Sequence, residues 1–135
     1  VIHRTEFGGS PSTIPVSDED SRPSNEAYDR KVTELWFSMR KWAVEERLGG
    51  MDIETLQEFC ARMFDDSKRK ISVESKTVMK QRTGKSPDLA DAAVVLLDLV
   101  RKTAVLEPRF TKMDKVWEKL VKDADSIYYD ETIEA

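Results

Sequence analysis

The segment from Ser86 to about Ala104 constrains the fold more than any other. Ser86 offers a side-chain oxygen to an unpaired backbone N–H, and Pro87 suits a first helical position, where its missing N–H costs nothing. The helix that follows is apolar nearly all round, with Leu89, Ala92, Ala93, Val94, Val95, Leu96, Leu97, Leu99 and Val100. Such a helix has to be covered on more than one side, so other elements must pack around it. At about 100° per residue, Asp88, Asp91 and Asp98 fall on one side, while Leu89, Leu96 and Val100 face the other.

The rest of the chain supplies candidate neighbours. Residues 1–7 alternate loosely, contain Val1, Ile2 and Thr5, and predict a strand ending at Gly8-Gly9. Residues 10–24 have no helical period and predict a long loop. Ser24 or Asn25 caps a helix running to about Leu48, with the stripe Val32, Leu35, Trp36, Met39, Trp42 and Ala43, ended by Gly49-Gly50. Asp52 caps a second helix whose inner face is read as Ile53, Leu56, Phe59, Cys60, Met63 and Phe64. A polar turn over 65–70, a short strand around Ile71 and Val73, and a basic connection or short helix from Lys76 to Gly84 follow. Beyond Pro108, Met113, Val116, Trp117, Leu120 and Val121 mark an amphipathic helix over about Lys112–Ala124, before an acidic tail. A strand, a helical crossover and a second strand predict a parallel pair within a helix-rich α/β fold of two short strands and about four helices. Two strands make no stable sheet alone. That, and a start at Val1-Ile2-His3-Arg4 without Met, leads to the expectation that the chain is a fragment of a larger domain.

Composition sets the class. The 135 residues fit one domain, 39% apolar residues support a core, and 36% charged residues make a soluble surface. No apolar run approaches the ~18 residues of a membrane span. The net charge of −4 argues against nucleic acid, but its distribution does not. From Lys68 to Lys85 there are seven cations, Lys68, Arg69, Lys70, Lys76, Lys80, Arg82 and Lys85, against one acid, Glu74. The acids gather at Asp18–Asp20, Glu45-Glu46 and after Asp123.

Cations that hold phosphate, beside carboxylates that hold a hard divalent ion, point to phosphodiester chemistry. A carboxylate near a helix N-terminus is stabilised by the free N–H groups there, which suits Asp91. Plain solvated surface is the competing reading for both the acids and the basic run. Other chemistries are weakly encoded. His3 has no partner spacing, and the single Cys60 reads as a buried thiol with no zinc or nucleophile setting. The three tryptophans sit at core spacing. Thr83-Gly84-Lys85-Ser86 imitates the end of a phosphate-binding loop, but Met79 stands where the first Gly belongs, so an ATP site is excluded here.

The stretch ESKTVMKQRTGKSPDLADAAVVL, Glu74 to Leu96, resembles the last strand and helix of the nuclease domain in the large terminase subunit of tailed bacteriophages. The order FGGSP, a Trp- and Arg-rich helix, Gly-Gly, then DIETLQEF extends the likeness over residues 1–105, leaving 106–135 as a C-terminal helix and acidic tail. The resemblance implies part of an RNase H-like fold and metal-dependent cleavage of concatemeric double-stranded DNA during genome packaging. It implies two Mg²⁺ or Mn²⁺ ions held by three acids. Asp91 corresponds to the third of these, the catalytic and metal position, with Asp88 beside it, and Lys76, Arg82 and Lys85 lie near DNA phosphates. Two of the acids and the ATPase have no match here, so the chain alone is expected to be inactive. The implied partners are double-stranded DNA, the portal protein and the small terminase subunit, with no membrane, in the host cytoplasm during phage assembly. The alternative is a small helical interaction or adaptor module without catalysis, whose basic stretch binds an acidic partner.

Overall fold

The computed structural model describes residues 2–16 and 20–103. The chain divides into two compact units, Val1–Leu99 and Val100–Ala135. The helix read over Lys112–Ala124 and the acidic tail lie outside the described residues. Five helices are seen: α1 (Ser24–Ala27), α2 (Lys31–Val44), α3 (Ile53–Ala61), α4 (Lys76–Thr83) and α5 (Asp88–Lys102). One two-stranded antiparallel sheet, β1 (Phe64–Asp65) and β2 (Ser72–Val73), stands between α3 and α4, with Phe64 opposite Val73 and Asp65 opposite Ser72. This helix-rich arrangement is compatible with an α/β class.

The strand expected over residues 1–7 is not formed among the described residues. Its carbonyls do other work. Phe7 O accepts the N–H of Val32 at 3.0 Å and Gly9 O accepts that of Lys31 at 2.8 Å. These are first-turn donors of α2, which have no partner within the helix. The parallel pairing expected for that strand is made by a different segment. Tyr28 bridges Ile71 in parallel, with Asp29 N–H donating to Ile71 O at 3.0 Å and Ile71 N–H to Ala27 O at 2.9 Å. Pairing requires extended backbone, and Tyr28 and Arg30 adopt it. The helix read from Ser24 onward is therefore split into α1 and α2.

α2 also ends earlier than its glycines suggest. Glu46 takes φ 56°, Arg47 N–H reaches back to Trp42 O at 2.9 Å, and Glu46 N–H to Ala43 O at 3.1 Å. This is a left-handed helix stop, of the kind that usually selects Gly, built on Glu instead. Gly49-Gly50 then lies in the connection to α3.

The α2 stripe is buried as its period requires, with Val32, Leu35, Trp36 and Met39 in the core, while Ala43 is exposed. These residues pack with Val73, Ala90, Val94 and Leu97. Each such side chain contributes about 1.5–3 kcal/mol when fully buried. An aromatic row continues outward: Trp36 to Phe59 at 4.7 Å, Tyr28 to Phe37 and Phe37 to Phe64 at 5.3 Å each.

α3 departs from its apolar pattern. Asp52 caps it as expected, accepting the Thr55 N–H at 2.9 Å. Its buried residues, however, are Thr55 and Glu58, with Phe59 half-buried, and Ile53, Leu56, Cys60, Met63 and Phe64 are exposed. Cys60 is thus an exposed free thiol rather than a buried one. The reason is that Glu58 Oε2 accepts the buried N–H of Ala90 at 2.8 Å. Turning Glu58 inward turns the Leu56 side outward.

α5 shows the same inversion. Ala90, Asp91, Val94, Leu97 and Asp98 are buried, whereas Leu89, Val95, Leu96 and Leu99 are exposed. The helix is covered on the face that carries Asp91 and Asp98, not on the leucine-rich one. Leu97 is 3% exposed and Leu96 is 61% exposed, so two adjacent leucines give a test. Leu97→Ala is expected to cost about 2–5 kcal/mol in urea denaturation, and Leu96→Ala less than about 0.5 kcal/mol. Equal losses would mean that α5 is rotated from this setting.

Candidate functional site

The candidate site lies where β2 passes into α4 and α4 into α5. Ser75 caps α4 by accepting the Val78 N–H at 3.2 Å. Met79 is 1% exposed and anchors α4 to the interior. Gly84 ends the helix at φ 75°, a left-handed conformation that favours glycine, and returns its N–H to Lys80 O at 2.8 Å. Thr83 Oγ1 accepts the Lys85 N–H at 3.2 Å, which shapes the turn into Ser86-Pro87. These local contacts bring the start of α5 back beside the start of α4.

Three of the residues singled out in the sequence meet there. Lys76 Nζ lies 2.7 Å from Asp88 Oδ1 and 3.2 Å from Asp91 Oδ2. Ser86 Oγ donates to Asp88 Oδ1 at 3.0 Å. The hydrogen bond to Asp88 pushes the Lys76 pKa up, and the same bond, followed by that of Ser86, holds Asp88 below the usual aspartate range. Asp91 is buried and Asp88 is exposed, so the pair spans the boundary between core and solvent.

Behind Asp91 stands Arg62, which the sequence reading did not single out. Its side chain is 4% exposed. It donates to Glu74 O through Nε at 3.0 Å and Nη2 at 2.9 Å, and it stacks over the Trp36 ring at 4.5 Å. The remaining Nη1 lies 3.5 Å from Asp91 Oδ1. Burial lowers the Arg62 pKa and the Asp91 charge opposes that. Arg62 follows the last residue of α3 with extended backbone, so no helical spacing signalled its position.

The other two predicted cations are placed differently. Arg82 forms an ion pair with Glu74 and donates to Ala61 O at 2.6 Å, at the end of α3. Its guanidinium is engaged within the fold. Lys85 is exposed, and its ammonium makes no ion pair among the described residues. Lys76, Asp88 and Asp91 are therefore brought into contact, Arg82 connects to them only through Glu74 and Arg62, and Lys85 stands at the turn.

The donor set for metal is incomplete. Asp88 and Asp91 address one point, which the Lys76 ammonium shares. Among the described residues no group of three or more His, Cys, Asp or Glu side chains is placed to hold an ion. The residues described fit a contributed pair of carboxylates, not a two-ion centre, and no reaction step is assigned to them alone.

No family model, curated protein or solved structure matches the chain. Among the described residues, no helix is long and apolar enough to cross a membrane.

A second buried polar cluster lies on the same face of α5, two turns further along. Glu34 accepts Ser12 N–H at 2.7 Å and Ser12 Oγ at 2.5 Å, and Lys31 lies 3.1 Å from Glu34 and 3.5 Å from Asp98. Thr5 donates to Asp98 at 2.7 Å. It ties the first residues to α5 and explains why Asp98 faces inward.

Glu74 yields a pH test. The Arg82 hydrogen bond, helped by the Met63 N–H, holds its carboxyl below the ordinary value of 4.5. A depressed acid contributes stability that is present above its unfolded pKa and is lost as pH falls through the folded one. Glu74→Gln is expected to flatten the acid limb of stability below the ordinary value of 4.5. Near neutrality it should be destabilising, though by less than the loss of a buried charge-assisted bond because Arg82 is partly exposed. Thermal unfolding of both proteins from neutral to acid pH reads this directly, and an equally steep acid limb in the variant would contradict it.

Proposed function

We propose that the chain is part of the nuclease domain of a phage large terminase subunit, an RNase H-like domain that cleaves concatemeric double-stranded DNA during packaging. The observation that carries this reading is the meeting of Asp91, Asp88 and Lys76 at the exit of β2, inside a stretch rich in cations. A carboxylate held in the first turn of a helix, next to exposed lysines, is what hydrolysis of a phosphate backbone requires of one element in a shared centre.

In this reading Asp91 contributes the inner carboxylate and Asp88 the outer one. Mg²⁺ or Mn²⁺ suits hard oxygen donors, and such ions supply an activated water and steady the leaving oxygen. The other acids come from strands that this sequence does not contain, so the chain by itself is inactive. Arg62 keeps the Asp91 carboxylate aimed outward from a buried, stacked position. Lys76 neutralises both carboxylates and is half exposed, so it is free to exchange partners when substrate arrives. DNA is the substrate, and the portal protein and small subunit are the assembly partners in the host cytoplasm.

An interaction module is the second reading, favoured by the exposed Leu89, Val95, Leu96 and Leu99 along one face of α5.

The deciding measurement uses the chain extended by its upstream coding sequence, assayed on linear and supercoiled duplex with Mg²⁺ or Mn²⁺. The extended protein should cut and the 135-residue chain should not. Asp91→Asn in the extended protein should lower cleavage by at least about a hundredfold when activity is normalised to the folded fraction, since the variant also leaves the buried Arg62 without its carboxylate. Retained cleavage in that variant would remove Asp91 from the centre and reject the terminase assignment, whereas an extended protein that does not cut, or an upstream sequence without acidic strands, would favour the interaction module.

A further inference from the structure

Of the basic residues near the site, only some have charge to spare. Arg82 is bound to Glu74 and to the end of α3. Arg62 is buried beneath Asp91. Lys76 is held by two carboxylates. Lys80 and Lys85 differ from all three, because both are exposed and neither ammonium makes an ion pair among the described residues.

Their positions are defined by the backbone. Lys80 lies one turn after Lys76 on α4, so the two share a face. Lys76 touches Asp88, and the Lys80 charge is also felt at Asp88. Arg82, two residues further, points around the helix toward α3 and the sheet. Lys85 precedes Asp88 by three residues, which keeps their Cα atoms within about 11 Å. Lys80 and Lys85 thus flank the rim on which Asp88 stands.

We propose that Lys80 and Lys85, and not Arg82, are the side chains by which this unit grips the phosphate backbone of a DNA duplex beside Asp88 and Asp91. The inference rests on the nuclease reading and adds to it the residues that hold the substrate. Residues 76–91 contain no aromatic side chain. A platform for stacking unpaired bases is therefore lacking in this stretch, which favours phosphate contacts to a duplex over single-strand binding. Such contacts position the substrate without reading its sequence.

The test is fluorescence anisotropy of the full chain with a labelled mixed-sequence duplex of about 20 bp across a salt series. Lys80→Gln and Lys85→Gln are each expected to reduce the slope of log affinity against log salt by about one and to weaken binding about eightfold at about 0.1 M salt. Both lysines are exposed and unpaired, so circular dichroism and melting should be unchanged. Arg82→Gln should lower the melting temperature yet leave the salt slope of the folded protein as it was.

Unchanged slopes in both lysine variants would overturn the proposal while leaving the cleavage test of Asp91 to judge the nuclease reading separately. Loss of slope in Arg82→Gln alone would also overturn it. Binding to a polyglutamate peptide through Lys80, with no duplex binding at any salt, would assign the surface to an acidic protein partner instead. No binding to either probe would remove the surface as a docking site.

Discussion

The first turn of α5 is held from beneath by a carboxylate, and the layout of the unit follows from that contact. Every helix begins with N–H groups that lack an internal partner, and the dipole makes that end attractive to an acid. Glu58, 7% exposed, meets the Ala90 N–H in the interior. A buried acid is tolerated only with such donors. Once Glu58 is committed, Phe59 falls onto Trp36, and Arg62, the residue that ends α3, comes up under Asp91. The apolar residues Ile53 and Leu56 are left outside as a consequence.

The same logic turns α5 over. Its buried face carries two aspartates, and each is met by charge or hydroxyl: Asp91 by Arg62 and Lys76, Asp98 by Lys31 and Thr5. Removing one partner of a buried pair typically costs about 3–5 kcal/mol, since the other charge is then stranded. Such pairs specify orientation more than they add stability. At Asp91 they also create an asymmetry with functional meaning. Arg62 is rigid, stacked and enclosed, whereas Lys76 is half exposed and shared with Asp88. One cation sets the geometry and the other remains exchangeable.

Elements that depend on nearby residues were legible. The α2 stripe, the Asp52 cap and a helix after Ser86-Pro87 appear where periodicity and turn residues put them, but Asp65 lies in β1 rather than in the polar turn, and Ser86 Oγ donates to Asp88 instead of accepting a backbone N–H. The Lys76 segment, read as a basic connection or a short helix, is the helix α4. The β-branched start did not become a strand, because its carbonyls serve the first turn of α2 and Tyr28 takes the parallel bridge to Ile71. In the site, the contact of Lys76 with Asp88 and Asp91 follows from residues close in sequence. Arg82 was legible as a cation but not as the partner of Glu74, and Arg62, just past the end of α3, gave no sign.

By itself the sequence determined where most of the helices lie, how α3 begins, and that carboxylates and lysines would share the turn before α5. Caps, turns and periodic stripes act across a few residues and can be read in order along the chain. Only the tertiary structure decided which faces of α3 and α5 turn inward and which cations remain available to a ligand. Those choices rest on contacts between residues 29, 32 and 93 positions apart, Arg62 with Asp91, Glu58 with Ala90 and Thr5 with Asp98. A buried acid follows its hydrogen-bond donor rather than the apolar pattern, and no local period records where that donor will be.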